Sequence, residues 1–249
     1  MFHTLAFYTA ALGISAVNTA LGITTDQSFG QQNGRYQSNE DLRIRSAVVS
    51  GSGLTSARVN TPSLRVVSLP YIDPLNTQLI VPSMCPIVTY DAMGPLIQRT
   101  EDFVIECSRD ASAAAPAWAM VNLASNTRPP QPGPVYTCRG TATITGVVGS
   151  WANGIITLDQ TLPAGRYQVQ GMSCIGAGVA IARLIFPSVV FRPGVLGSET
   201  FNTYQNHIFR KGNFGVFGDF YSYAQPSLEI FNTAAGTSQT VFLDLVKIG

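Results

Sequence analysis

Apolar and polar residues alternate in short runs along most of the chain, which is the pattern of half-buried β-strands. In the first half, Leu42 and Ile44 alternate with Arg43 and Arg45. Other short apolar runs bounded by Pro, Gly or Asn predict strands at residues 63–69, 103–107 and 118–123.

The strand pattern is more regular after residue 134. Thr141, Thr143 and Thr145 alternate with Ala142 and Ile144. Further strands are predicted at residues 167–171, 179–186, 214–221, 228–231 and 241–248. About seven strands in about 115 residues, with little helical periodicity, is typical of a sandwich, jelly roll or barrel. The sequence therefore predicts an all-β fold.

A cluster of prolines marks the best internal boundary of the chain. Pro129, Pro130, Pro132 and Pro134 follow one another closely. Proline fixes φ and donates no backbone hydrogen bond, so this segment cannot lie in a central strand. We place a domain boundary between residues 130 and 131.

The N-terminal segment carries no charge as far as residue 25 and is mildly apolar. It is only weakly amphipathic as a helix, and its Ser, Thr and Asn residues make it a poor transmembrane span. We expect residues 1–34 to form an arm and linker that packs on its own or a neighbouring subunit, contacts lipid, or acts as a targeting segment. The candidate membrane- or interior-facing residues are Phe2, Leu5, Phe7, Tyr8, Leu12 and Ile14.

Charge is scarce throughout the chain. The 249 residues include 15 Lys and Arg and 14 Asp and Glu, so charged residues make up 12% of the chain, with a net charge of +1. This fraction is about half that of an ordinary soluble domain, which suggests that neighbouring subunits cover much of the surface. The first basic residue is Arg35, and no basic run follows it. We therefore expect no specific nucleic-acid binding.

No pattern of catalytic or metal-binding residues stands out. The cysteines (Cys85, Cys107, Cys138 and Cys174) contain no C-x-x-C pair, so they suit buried thiols or disulfides better than zinc. His3 and His207 have no partner pattern, and no G-x-S-x-G motif occurs. Carboxylates such as Glu106, Asp159, Asp219 and Glu229 show no spacing that singles out a catalytic pair. The sequence predicts no catalytic residue, cofactor or metal.

Several motifs together resemble the jelly-roll major capsid proteins of tailless icosahedral bacteriophages that contain an internal membrane. The motifs are PAWAMV (116–121), WANG (151–154), LDQTLPAGRY (158–167), ARLIF (182–186), FRPG (191–194), GVFGDF (215–220) and LDLVKI (243–248). The resemblance covers residues 116–249.

The resemblance implies two tandem jelly rolls, at 35–130 and 131–249. It further implies trimeric capsomers in a virion shell that contacts other virion proteins and a membrane. Residues 35–126 are short for a complete eight-stranded roll, so one roll after an irregular N-terminal region is the alternative fold. The alternative function is a carbohydrate- or receptor-binding β-sandwich, such as a viral spike or lectin-like module.

Large side chains in predicted loops are the candidates for subunit contacts, because aromatic residues and Arg are enriched at interfaces. Ordinary packing of loops over the ends of the sandwich explains them equally well. They are Trp151, Phe191, Arg192, Phe201, Tyr204, Phe209, Tyr221 and Tyr223.

Overall fold

The computed structural model is nearly all β. It describes residues 2–26, 29–67, 71–72, 74, 88–89, 94–125, 128–198 and 216–249. The chain divides into two compact units, one of Leu5–Ser125 and the other of Met1–Thr4 with Asn126–Gly249. The first strand, β1, therefore belongs to both units.

The first unit is built from short and medium strands with one helix among its described residues. Its elements are β1 (Phe2–Leu12), β2 (Thr19–Ala20), β3 (Gly30–Gln32), β4 (Arg35–Gln37), β5 (Leu42–Gly51), β6 (Leu54–Asn60), α1 (Pro62–Val67), β7 (Tyr71–Ile72), β8 (Val88–Thr89), β9 (Leu96–Ile97), β10 (Asp102–Arg109) and β11 (Ala115–Ala124).

These strands form a jelly roll. One sheet has the order β1-β11-β5-β8, with β9 also pairing with β5, and the other contains β2, β10, β6 and β7 side by side. The hairpin β3-β4 extends the second sheet through β10. Without β3 and β4, and with β8 and β9 counted as one strand, this unit has eight strands. Numbered in chain order, they lie in the orders 1-8-3-6 in one sheet and 2-7-4-5 in the other. That is the double Greek key of a jelly roll.

Aromatic rings fill the core of the first roll around β1. The Phe7 ring lies 5.1 Å from that of Tyr36 and 6.1 Å from that of Phe103, and all three are buried. The Tyr36 hydroxyl donates to the carbonyl of Ala6 at 2.8 Å, which ties the hairpin to β1.

The N-terminal segment packs on its own subunit, which was one of the expected alternatives, but it does so as strand β1 and not as a separate arm. Phe2, Leu5, Phe7 and Leu12 are buried, Tyr8 is half-buried, and only Ile14 is exposed. Side chains buried within their own chain cannot face lipid or a particle interior. Residues 5–34 supply strands β1 to β3 of the first roll, so this roll does not begin at residue 35 and the apparent shortage of strands disappears.

One predicted strand is also wrong. Residues 63–69 were expected to be extended, but Pro62–Val67 forms helix α1. Proline is favoured in the first turn of a helix, where its missing N–H costs nothing.

The second unit contains nine further strands among its described residues. They are β12 (Val135–Ala142), β13 (Trp151–Ile155), β14 (Thr157–Leu158), β15 (Arg166–Gly176), β16 (Val179–Ile185), β17 (Gly194–Ser198), β18 (Gly218–Tyr221), β19 (Ser227–Asn232) and β20 (Gln239–Lys247).

The second unit is also a jelly roll. One half of its curled nine-stranded sheet places β12, β20, β15 and β18 side by side, with β14 outside β12, and the other half has the order β13-β19-β16-β17. The parallel pairing of β17 with β15 joins the two halves. With β14 set aside, these are again the orders 1-8-3-6 and 2-7-4-5. The all-β jelly-roll fold predicted from the sequence is thereby confirmed, with two rolls in one chain.

We expect Phe7→Ala to destabilise the protein by about 3–5 kcal/mol, because it leaves a cavity beside Tyr36 and Phe103. Ile14→Ala, two residues beyond β1 and half exposed, should change stability by less than about 0.5 kcal/mol. Denaturant unfolding of both variants measures the difference. Equal effects would contradict the integration of β1 into the core.

Candidate interaction surface

Exposed apolar side chains concentrate at one end of the second roll. Because its strands alternate in direction, the start of β12 and the connections 160–165, 186–193 and 222–226 share this end. We call it the apolar end. Its exposed large apolar residues are Val135, Tyr136, Val189, Val190, Tyr221 and Tyr223.

Backbone contacts hold these connections together. Ser222 donates its N–H to the carbonyl of Gly165 at 3.0 Å, and Gly165 donates to the Ser222 hydroxyl at 3.3 Å. The rings of Tyr221 and Tyr223 stack at 5.3 Å, with an interplanar angle of 14°. Tyr223 is nevertheless 84% exposed, so the pair presents an aromatic face to solvent.

The apolar end carries few charges. Residues 186–191 and 220–226 contain none. Nearby, Arg139 pairs with Asp159 at 2.6 Å, and Asp219 accepts from both Arg128 and Arg166 at 2.8 Å. Charge depletion combined with exposed aromatic residues is typical of the core of a protein interface.

The sequence candidates for the interface fall into three groups. Tyr221 and Tyr223 lie at the apolar end. Trp151, Phe191 and Arg192 take part in contacts within the chain, which are described next. The remaining candidates lie outside the described residues, namely Phe201, Tyr204 and Phe209.

Arg192 belongs to a buried charge cluster. Its guanidinium contacts both carboxylate oxygens of Glu229, at 2.7 and 2.9 Å. Glu229 also accepts from Nε of Arg183 at 2.5 Å. Arg183 and Glu229 are directly opposite in the pairing of β16 with β19, so both side chains project from the same face of the sheet. The guanidinium of Arg183 lies 3.7 Å from the centre of the Trp151 ring. Arg192 and Trp151 are therefore engaged internally.

The cluster anchors the beginning of β1. Arg192 donates its backbone N–H to Nδ1 of His3 at 2.9 Å, and its carbonyl accepts from the N–H of Thr4 at 3.0 Å. Arg183 donates to the carbonyl of Thr4 at 2.8 Å. The ring of Phe191 meets that of His3 edge to face at 5.8 Å.

Burial determines what this cluster can do. His3 and Arg183 are fully buried, and Glu229 is only 4% exposed. A substrate in solution cannot reach these groups, so the cluster acts on the structure by neutralising charge and holding β1. Sequence reasoning missed the role of Arg183, because a charged residue in an alternating strand normally faces solvent.

Other titratable groups are also engaged or buried. Glu106 pairs with Arg58 at 2.7 Å. Cys107, Cys138 and Cys174 are free and buried. Desolvation raises the pKa of Cys107 and of Cys174 to about 12. Within the described residues, no three His, Cys, Asp or Glu side chains are placed to hold a metal. No helix in that part of the chain is long and apolar enough to span a bilayer.

No known protein family's sequence profile matches the chain, and a search of curated proteins finds no significant match.

We expect Glu229→Gln to destabilise the protein by about 3–5 kcal/mol, since it leaves the buried guanidinium of Arg183 and the part-buried one of Arg192 without a counter-charge. Asp159→Asn is the matched control, because it removes the carboxylate of the exposed pair with Arg139. That pair should contribute about 0–1 kcal/mol. Denaturant unfolding at neutral pH gives both values, and similar small losses would argue against the anchoring role.

We expect Cys107 and Cys174 to resist thiol reagents in the native protein. A raised pKa leaves almost no thiolate in mildly alkaline buffer, and burial blocks access. Peptide mapping after alkylation should find both cysteines unmodified until denaturant is added. Fast labelling of either residue in the folded protein would contradict the buried positions.

Proposed function

We propose that the protein is a structural, non-catalytic major capsid protein that assembles into an icosahedral shell. The observation that carries this proposal is the presence of two complete jelly rolls in one chain. Jelly rolls are characteristic of viral capsid and lectin domains. A fold alone does not determine function, so the surface must distinguish the two.

The surface favours assembly. Only 12% of the residues are charged, and the apolar end gathers six exposed aromatic and aliphatic side chains. Burial of apolar surface contributes about 25 cal/mol per Å² before the costs of association. A stable contact buries about 1,200–2,000 Å² in total. The apolar end is the part of the described surface best suited to begin such a contact.

Trimers are the expected building block, as the resemblance to bacteriophage capsid proteins implies. Three chains with two rolls each would give six rolls around one axis, a pseudo-hexagonal unit. Closed symmetry of this kind limits growth and prevents open aggregates. Any contact of the shell with lipid would not use Phe2, Leu5, Phe7 or Leu12, because these side chains are buried.

Light scattering and negative-stain microscopy on gently purified protein, with and without detergent, test the proposal. Closed uniform particles or trimers support a shell protein. A monomer or dimer that detergent does not alter would contradict it.

We expect Val190→Asp and Tyr223→Asp to block assembly while leaving the fold intact, because each places a charge on an exposed apolar side chain that a contact would desolvate. Val148→Asp is the control, since Val148 is also exposed but lies on the connection 143–150 at the other end of the roll. Sedimentation measures assembly, and circular dichroism checks folding. Equal losses from all three variants would contradict the assignment of the contact to the apolar end.

A carbohydrate- or receptor-binding module is the second candidate, and the stacked pair of Tyr221 and Tyr223 favours it. An exposed aromatic face suits the apolar face of a sugar ring as well as a protein partner. A module of this kind should remain a small oligomer and gain thermal stability when its ligand is added.

A further inference from the structure

A cleft of about 510 Å³ opens at the apolar end of the second roll. The side chains that matter for its chemistry are Tyr136, Gln160, Thr161, Pro163, Tyr167 and Lys247. Tyr136 lies two residues before the buried Cys138 on β12, so both side chains are on the same face of the sheet. Tyr136 also pairs with the buried Leu245 of β20. It therefore points towards the space between the sheets, so the cleft occupies the mouth of the sandwich.

The walls of the cleft are fixed by contacts within the chain. Tyr167 donates its hydroxyl to the carbonyl of Pro163 at 2.8 Å. Gln160 donates its amide to Sγ of Cys138 at 3.0 Å. Asp159 donates its N–H to the carbonyl of Arg139 at 2.9 Å, which fixes the start of the connection. Ligand sites are typically preformed clefts of about 300–1,000 Å³, and this cleft meets that description.

Gly165 leaves room for the aliphatic part of the Lys247 side chain to reach the cleft. Its φ is +152°, and a Cβ atom at this position would lie 2.5 Å from Cε of Lys247. Only glycine provides both this backbone angle and this space.

The cleft has one charged side chain, the ammonium group of Lys247. Lys247 is exposed and makes no ion pair with the described residues. An ammonium group at the edge of an otherwise uncharged cleft is complementary to a single anionic group.

The remaining walls suit a ring that carries hydroxyl groups. The Tyr136 ring and Pro163 provide an apolar wall, and Gln160 and Thr161 provide an amide and a hydroxyl. A phosphate group would call for several converging donors, which one lysine does not supply. A flat aromatic acid would make no use of the amide and hydroxyl groups on this wall.

We propose that this cleft binds a sugar residue that carries a carboxylate. The carboxylate pairs with Lys247, the sugar ring packs on Tyr136 and Pro163, and the sugar hydroxyls bond to Gln160 and Thr161. This binding function is additional to shell formation and does not depend on it.

Titration of the dispersed protein by calorimetry or ligand-observed NMR tests the proposal. The probes are galacturonate, glucuronate and N-acetylneuraminate, with galactose and glucose as neutral controls and benzoate and phosphate as non-sugar anions. At least one acidic sugar should bind at least about tenfold more tightly than the neutral sugars, which is the size expected of one charge-assisted contact.

Matched variants locate the site. Lys247→Met keeps the stem but removes the charge, so it should abolish the preference for acidic over neutral sugars. Tyr136→Ala should weaken every sugar that binds. Tyr223→Ala should leave binding unchanged, because Tyr223 is an exposed tyrosine at the same end that does not line the cleft. Circular dichroism confirms the fold of each variant.

Three results would overturn the proposal. The first is that none of the three acidic sugars binds. The second is that Lys247→Met leaves the affinity for the acidic sugar unchanged. The third is that benzoate or phosphate binds as tightly as the acidic sugar. None of these results bears on whether microscopy finds particles or trimers, so failure here is distinguishable from failure of the shell proposal.

Discussion

The N-terminal strand contributes residues to both compact units, and one buried charge cluster holds its first residues. Its residues from Leu5 onward complete a sheet of the first roll, while His3 and Thr4 hydrogen-bond to Arg192 and Arg183 of the second unit. Glu229 makes this possible because its carboxylate neutralises the two arginines. Burying an arginine with a good counter-charge is tolerable, whereas burying it alone is very costly. The position of the first residues therefore depends on one carboxylate far along the chain.

The sequence predicts the fold class well because strand alternation and proline punctuation are local signals. It misses β1 for a physical reason. Residues 2–7 are buried on both faces, so the period of two that identifies a half-buried strand is absent. An uncharged segment without periodicity resembles an arm. Local patterns also cannot predict the pairing of Arg183 with Glu229, because these two residues are 46 positions apart in the sequence.

The candidate surface was predictable only in part. Aromatic residues in predicted loops include both Trp151, half-buried beside Phe231 and Arg183, and Tyr223, almost fully exposed. Composition does not separate these cases, because exposure depends on which strands bring their ends together. The scarcity of charge in the whole sequence is the more reliable signal, since it does not depend on the position of any one residue.

The two proposed roles share a residue, which links them physically. Tyr136 belongs to the apolar end and also forms a wall of the cleft beside Lys247. A subunit contact that covered this tyrosine would close the cleft, and a sugar bound there would place a polar ligand where the contact needs apolar surface. Assembly through this part of the apolar end and sugar binding would then be mutually exclusive by linkage. A contact centred on Val190 and Tyr223 instead would leave the mouth of the roll open and allow both.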